Sequence, residues 1–168
     1  MIDIRLMVNG QQYELSAPPE TTLLGLLRNQ IGLTGAKLGC DVGDCGACTV
    51  IVDGRSVSAC LMLAAQADGC AVLTIEGLAT RERLHPLQRA FEEQASLQCG
   101  FCGPGVILSA KALLDVNPDP SRQEVRDGLA GNLCRCTGYT KMIEAVLQAA
   151  RVMRDESAYA GAQTKAGS

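Results

Sequence analysis

Eight of the nine cysteines in this chain fall into two groups, and any admissible fold must gather each group at one place. Cys40, Cys45, Cys48 and Cys60 are spaced C-x4-C-x2-C-x11-C, and Cys99, Cys102, Cys134 and Cys136 form a C-x2-C pair followed by a C-x-C pair. The N-terminus shows no basic flank or apolar core of a secretory signal. The cysteine count is odd, which does not suit a closed disulfide framework. In a reducing compartment, thiols clustered at short spacings bind metal or do redox chemistry. A net charge of −3 without a long basic run argues against a nucleic-acid footprint. The longest apolar helical pattern, around 106–114, is interrupted by Ser109 and Lys111 and is too short to span a bilayer. The expectation is a cytoplasmic protein with no transmembrane segment.

The first half reads as a sheet around the first cysteine group. Ile2, Ile4, Leu6 and Val8 alternate with polar or exposed partners, the period of a half-buried strand. Asn9-Gly10 marks a tight hairpin, after which Tyr13 and Leu15 continue the alternation. Thr21 or Thr22 can cap a helix whose apolar face is Leu23, Leu26, Leu27 and Ile31. Thr49–Val52 and Arg55–Ser58 flank Asp53-Gly54 as a second hairpin, and 71–75 supplies a last strand. The loop between the helix and the second hairpin carries Cys40, Cys45 and Cys48, with Gly39, Gly43 and Gly46 among them. The C-x4-C-x2-C spacing is that of plant-type [2Fe–2S] proteins, and glycines let backbone amides approach anionic sulfur. Structural zinc also takes four cysteines, but usually as two short knuckles rather than this arrangement. Asp41 and Asp44 are expected to face solvent or a partner. Cys70 lies outside both groups and reads as a small buried hydrophobe.

From about Gly77 the period changes to 3.6, and the second half reads as helices. His85-Pro86 opens one, with the chain's only histidine expected to make local hydrogen bonds at the helix start. Val106, Ile107, Ala110, Leu113 and Leu114 form the buried stripe of a second, which Asn117-Pro118 stops. Ser121 to Glu124 is a capping box opening a third, which Gly131-Asn132 ends. A fourth follows Tyr139, with Ile143, Val146, Leu147 and Ala150 inward. Both cysteine pairs of the second group therefore sit at helix ends, where a four-helix arrangement would bring them together. Their own spacing leaves zinc and iron open; the upstream group favours iron. The predicted class is α+β, with a first domain over 1–78, a helical domain over 79–156 and a flexible tail over 157–168.

The motifs Gly39-Cys40, Cys45-Gly46-Ala47-Cys48-Thr49-Val50, Gln98-Cys99-Gly100-Phe101-Cys102 and Gly131 through Tyr139 resemble the small iron–sulfur subunit of molybdenum hydroxylases, the xanthine oxidase family. The likeness covers residues 2 to about 153. It implies a plant-type ferredoxin-like (β-grasp) domain followed by an all-α four-helix [2Fe–2S]-binding domain. It also implies an inner cluster on Cys99, Cys102, Cys134 and Cys136 near a molybdopterin on a large subunit, with Gln98 contacting the pterin. The outer cluster, on Cys40, Cys45, Cys48 and Cys60, would face a medium FAD-binding subunit. The chain departs from relatives at Gly103, where threonine is usual.

The implied function is that of a non-catalytic electron-transfer subunit of an oxidoreductase, possessing two [2Fe–2S] clusters and working in a heteromeric complex, with a dimer of heterotrimers as one expected form. A freestanding ferredoxin-like carrier and a structural zinc adaptor are the rival readings.

Overall fold

The computed structural model describes residues 1–80 and 82–166, with no account of side chains in 157–166. Its first half is a five-stranded sheet. β1 (Ile2–Val8) and β2 (Gln11–Ala17) are antiparallel, joined by Asn9 at φ 52° and Gly10 at φ 80°, the left-handed pair that matches strand twist. β3 (Thr49–Val52) and β4 (Arg55–Ser58) turn the same way through Asp53 and Gly54. β5 (Ala71–Leu73) runs parallel to β1 and antiparallel to β3, giving the order β2-β1-β5-β3-β4. Across one face lies α1 (Leu23–Gly25), capped by the Thr22 hydroxyl, which accepts from the Gly25 amide at 3.1 Å. It continues as a wider π-helical stretch, Leu26–Ile31, so Leu23, Leu24, Leu26 and Leu27 are all buried against the sheet. Full burial of each contributes about 1.5–3 kcal/mol.

The last strand is shorter than its sequence suggests. The expected strand over 71–75 stops at Leu73 because the Asn9 side chain takes over the ladder. Its Oδ1 accepts from the Thr74 amide and its Nδ2 donates to the Thr74 hydroxyl, both at 2.9 Å. The chain then turns through a 3-10 segment, Ile75–Gly77.

The second half is helical. α2 (Pro86–Glu93) starts at His85, whose Nδ1 accepts from the Leu87 amide at 3.2 Å while Gln88 Oε1 accepts from the His85 amide at 3.0 Å. α3 (Gly103–Val116) begins right after Cys102 and ends before Pro118. α4 (Arg122–Leu129) opens on the Ser121–Glu124 capping box. α5 (Thr140–Ala166) packs along α2, where Gln148 bridges Gln94 and Glu93 at 2.6 Å each. Leu87, Phe91, Val106, Ala110, Val125, Leu129, Met142 and Val146 fill the helical core. The expected tail over 157–168 keeps a helical backbone to Ala166; its side chains and residues 167 and 168 lie outside the described residues.

α3 joins the halves. Leu108 and Ser109, which were not part of the predicted apolar stripe, are buried as well, because α3 lies between the other helices and β3. Among the described residues no helix is long and apolar enough to cross a membrane.

Candidate metal centres

The loop before β3 wraps back on itself so that its amides point at sulfur. The Cys45 amide donates to Cys40 Sγ at 3.4 Å. Amide hydrogen bonds from Val42 and Cys45 bring the Cys40 thiol down to about 7. Asp41 and Asp44 are exposed. The β3–β4 hairpin sets Cys48, just before it, beside Cys60, just after it, and both are buried. Burial pushes the Cys48 thiol up to about 11, against a lowering hydrogen bond with the Cys60 backbone and with smaller help from the Cys60 thiol. A Cβ on Gly39 would come within 2.8 Å of Cys45 Sγ, so the sulfur fills the space a side chain there would need.

The second group is built from two loops at helix ends. Cys102, the residue before α3, is buried, and burial followed by the adjacent Cys134 pushes its thiol up to about 12. Cys99 is exposed, and its Sγ lies 3.5 Å from Cys136 Sγ. The Phe101 amide is the main cause holding the Cys99 thiol below the ordinary cysteine value, with Cys136 next. For Cys134, burial pushes upward, yet the Thr137 hydroxyl and the amides of Cys136 and Thr137 leave its thiol lowered. The Thr137 hydroxyl lies 3.2 Å from Cys134 Sγ.

All eight predicted cysteines thus meet in twos: Cys40 with Cys45, Cys48 with Cys60, Cys99 with Cys136, and Cys102 with Cys134. Each group has one pair toward solvent and one pair toward the core. Among the described residues no three metal-binding side chains converge on one point, as a single ion would need. Two thiols per iron is what a binuclear cluster takes, and amides aimed at the sulfurs suit its negative charge. The buried thiols have neutral forms that burial favours, and a metal cation would be the compensating charge for their thiolates. The donor sets therefore fit [2Fe–2S] clusters, which Cys40, Cys45, Cys48 and Cys60 could hold on one side and Cys99, Cys102, Cys134 and Cys136 on the other.

The remaining singled-out residues take ordinary positions. Gln98 is exposed beside Cys99. Cys70 is half-buried just before the central strand β5, with Sγ 3.8 Å from the Gln66 and Asp68 carbonyls. Gly103 faces Leu97, whose methyl would lie 2.9 Å from an added Cβ. The sequence reading overlooked Asn132, taken only as a helix ender. It is buried, and its Nδ2 donates to the Gly46 carbonyl at 3.0 Å and lies 3.3 Å from the Thr49 hydroxyl. An asparagine followed two residues later by a cysteine carries no local signal of such a contact.

Two family models match the chain: a 2Fe-2S iron-sulfur cluster binding domain over residues 6–79 and a [2Fe-2S] binding domain over residues 74–147. The small FeS subunit of nicotinate dehydrogenase from Eubacterium barkeri is 50% identical over 145 residues, covering 86% of this chain and 92% of that subunit. Aldehyde oxidoreductase from Megalodesulfovibrio gigas is 50% identical over 156 residues, 91% of this chain, which spans 17% of that longer protein. A solved chain of quinoline 2-oxidoreductase from Pseudomonas putida 86 superposes with a TM-score of 0.88 at 44% identity, covering 92% of this chain and 96% of that one.

Proposed function

Because this chain belongs to the family of small iron–sulfur subunits of molybdenum hydroxylases, we propose that it is the electron-transfer subunit of such an enzyme. It passes electrons one at a time between a molybdopterin site on a large partner subunit and an acceptor, FAD on a medium subunit or another group. The observation that carries the reading is the pairing of eight cysteines into two amide-lined donor sets. Each bound [2Fe–2S] cluster supplies one-electron redox chemistry, at a potential tuned by hydrogen bonds to sulfur and by burial. The chain's own residues bind and bias: amides and the Thr137 hydroxyl favour anionic sulfur, and the buried thiols of Cys48, Cys60 and Cys102 face the core.

The same reading gives residues 1–78 and 79–156 as the two cluster domains, with Gln98 facing the pterin. Exposed apolar side chains at each cysteine loop support docking of partners there. Phe101 and Leu133 flank the inner set, and Leu38, Val42 and Leu61 rim the outer one. Surfaces of this kind suit a stable complex; the same reading duplicates it into a dimer of heterotrimers and places it in the cytoplasm.

Iron and inorganic sulfide analysis, with electron paramagnetic resonance of the reduced protein, tests the proposal. Two distinct [2Fe–2S] signals are expected, together with co-purification of a molybdopterin protein. Zinc without inorganic sulfide would overturn it.

A further inference from the structure

The loops that carry the two cysteine sets are joined by a peptide hydrogen bond. The Leu133 amide donates to the Cys45 carbonyl at 2.8 Å, and Leu133 is bonded directly to Cys134. A continuous route therefore runs from Cys45 Sγ through its own side chain and carbonyl, across one hydrogen bond, and along the Leu133 backbone to Cys134 Sγ. Electron tunnelling decays more slowly along bonded atoms and hydrogen bonds than across gaps, so this is a favoured route between the sets.

The turn that presents Leu133 is held from both sides. On one side the buried Asn132 side chain donates to the Gly46 carbonyl at 3.0 Å, next to Cys45. On the other, the Tyr139 hydroxyl accepts from the Cys134 amide at 2.6 Å and donates to the Asn132 carbonyl at 3.1 Å. The approach has no slack: a Cβ on Gly46 would lie 2.2 Å from the Gly131 carbonyl oxygen. We propose that Asn132 and Tyr139 are positioning residues that hold the Leu133–Cys45 hydrogen bond and thereby set the electronic coupling between the two cysteine sets. The inference rests on the two-cluster reading. In the oxidising direction, one electron leaves the group held by Cys134, which is oxidised, and reduces the group held by Cys45. No covalent bond breaks and no proton moves.

The test uses the purified complex with Asn132→Ala and Tyr139→Phe. Hydrogen exchange at the Leu133 amide is followed by mass spectrometry, and the magnetic splitting between the two reduced clusters by electron paramagnetic resonance. Both variants should retain iron and both cluster signals. Leu133 exchange should speed up roughly tenfold, equivalent to about 1.4 kcal/mol, and the splitting should shrink. Tyr139→Phe removes one hydroxyl and carries the test if Asn132→Ala folds poorly. Unchanged Leu133 protection and unchanged splitting, with both signals present, overturn the proposal and leave the electron-transfer reading standing. Absence of iron–sulfur signals from the unaltered complex overturns that reading instead.

Discussion

Substituting Gly105→Ala should destabilise this protein although it places a better helix former in a helix. Gly105 lies in the first turn of α3. By propensity alone, alanine gains about 1 kcal/mol over glycine in a helix interior. Here the new Cβ would stand 2.2 Å from the Gly46 carbonyl oxygen and 3.3 Å from its carbon, both backbone of the first cysteine loop. Forcing an extra carbon into a packed contact costs about 1–3 kcal/mol. Moving Gly46 away also strains its hydrogen bond from Asn132, worth about 1 kcal/mol. The net loss is about 2 kcal/mol in the middle of that range, or about 4–8 °C in Tm for a chain of this length. Gly128→Ala in α4 is the matched control. The three atoms nearest its Cβ would all belong to the Leu113 side chain, the methyls at 2.9 and 3.5 Å and Cγ at 3.5 Å, and that side chain can rotate aside. Thermal unfolding of both variants in the cluster-loaded protein, followed by calorimetry, should show Tm falling for Gly105→Ala and holding or rising for Gly128→Ala. An equal rise in both would refute the argument that a backbone collision decides the sign.

Acid should weaken the start of α2. Burial, followed by the Lys111 charge, holds His85 below its ordinary pKa, with Arg83 acting the same way and Asp115 and Glu156 opposing. The unfolded chain then binds more protons, so the stability contribution is present above about pH 6.5 and is lost as pH falls through the folded pKa. His85→Asn, which keeps a capping side chain without titrating, should flatten the Tm–pH profile below about pH 6.5; an unaltered slope would assign the effect to another group. Cys60→Ser and Cys134→Ser should each abolish one resonance signal and spare the other, and loss of the same signal by both would break the two-set assignment. Gly103→Thr should fold with nearly unchanged Tm, because the three atoms nearest its Cβ all belong to the flexible Leu97 side chain; a loss above about 2 kcal/mol would contradict this, being far outside the usual range for a residue without a rigid obstruction.

Local chemistry was legible in the sequence wherever a few adjacent residues decide the outcome. Asn9-Gly10 and Asp53-Gly54 adopt left-handed turns, and Ser121 and His85 cap their helices. What escaped depends on distant partners. Nothing near Thr74 announces that Asn9, in the turn between β1 and β2, will end β5. Leu108 and Ser109 lie off the predicted stripe, yet both are buried where β3 is laid against α3. The burial of Asn132 is fixed by Gly46 and Thr49, more than eighty residues earlier.

The strand order also dictates a schedule for making the protein. β1 sits inside the sheet, and its second neighbour, β5, is the last strand to be synthesised. Until Leu73 has emerged, β1 and β3 each present an open edge, the kind of surface that recruits stray strands. The first cysteine loop lies wholly within the segment that this closure encircles. A nascent chain therefore offers its thiols in an unfinished cradle, and efficient loading belongs after translation of β5. Iron delivered too early would meet loose cysteines and aggregation-prone strands at the same moment.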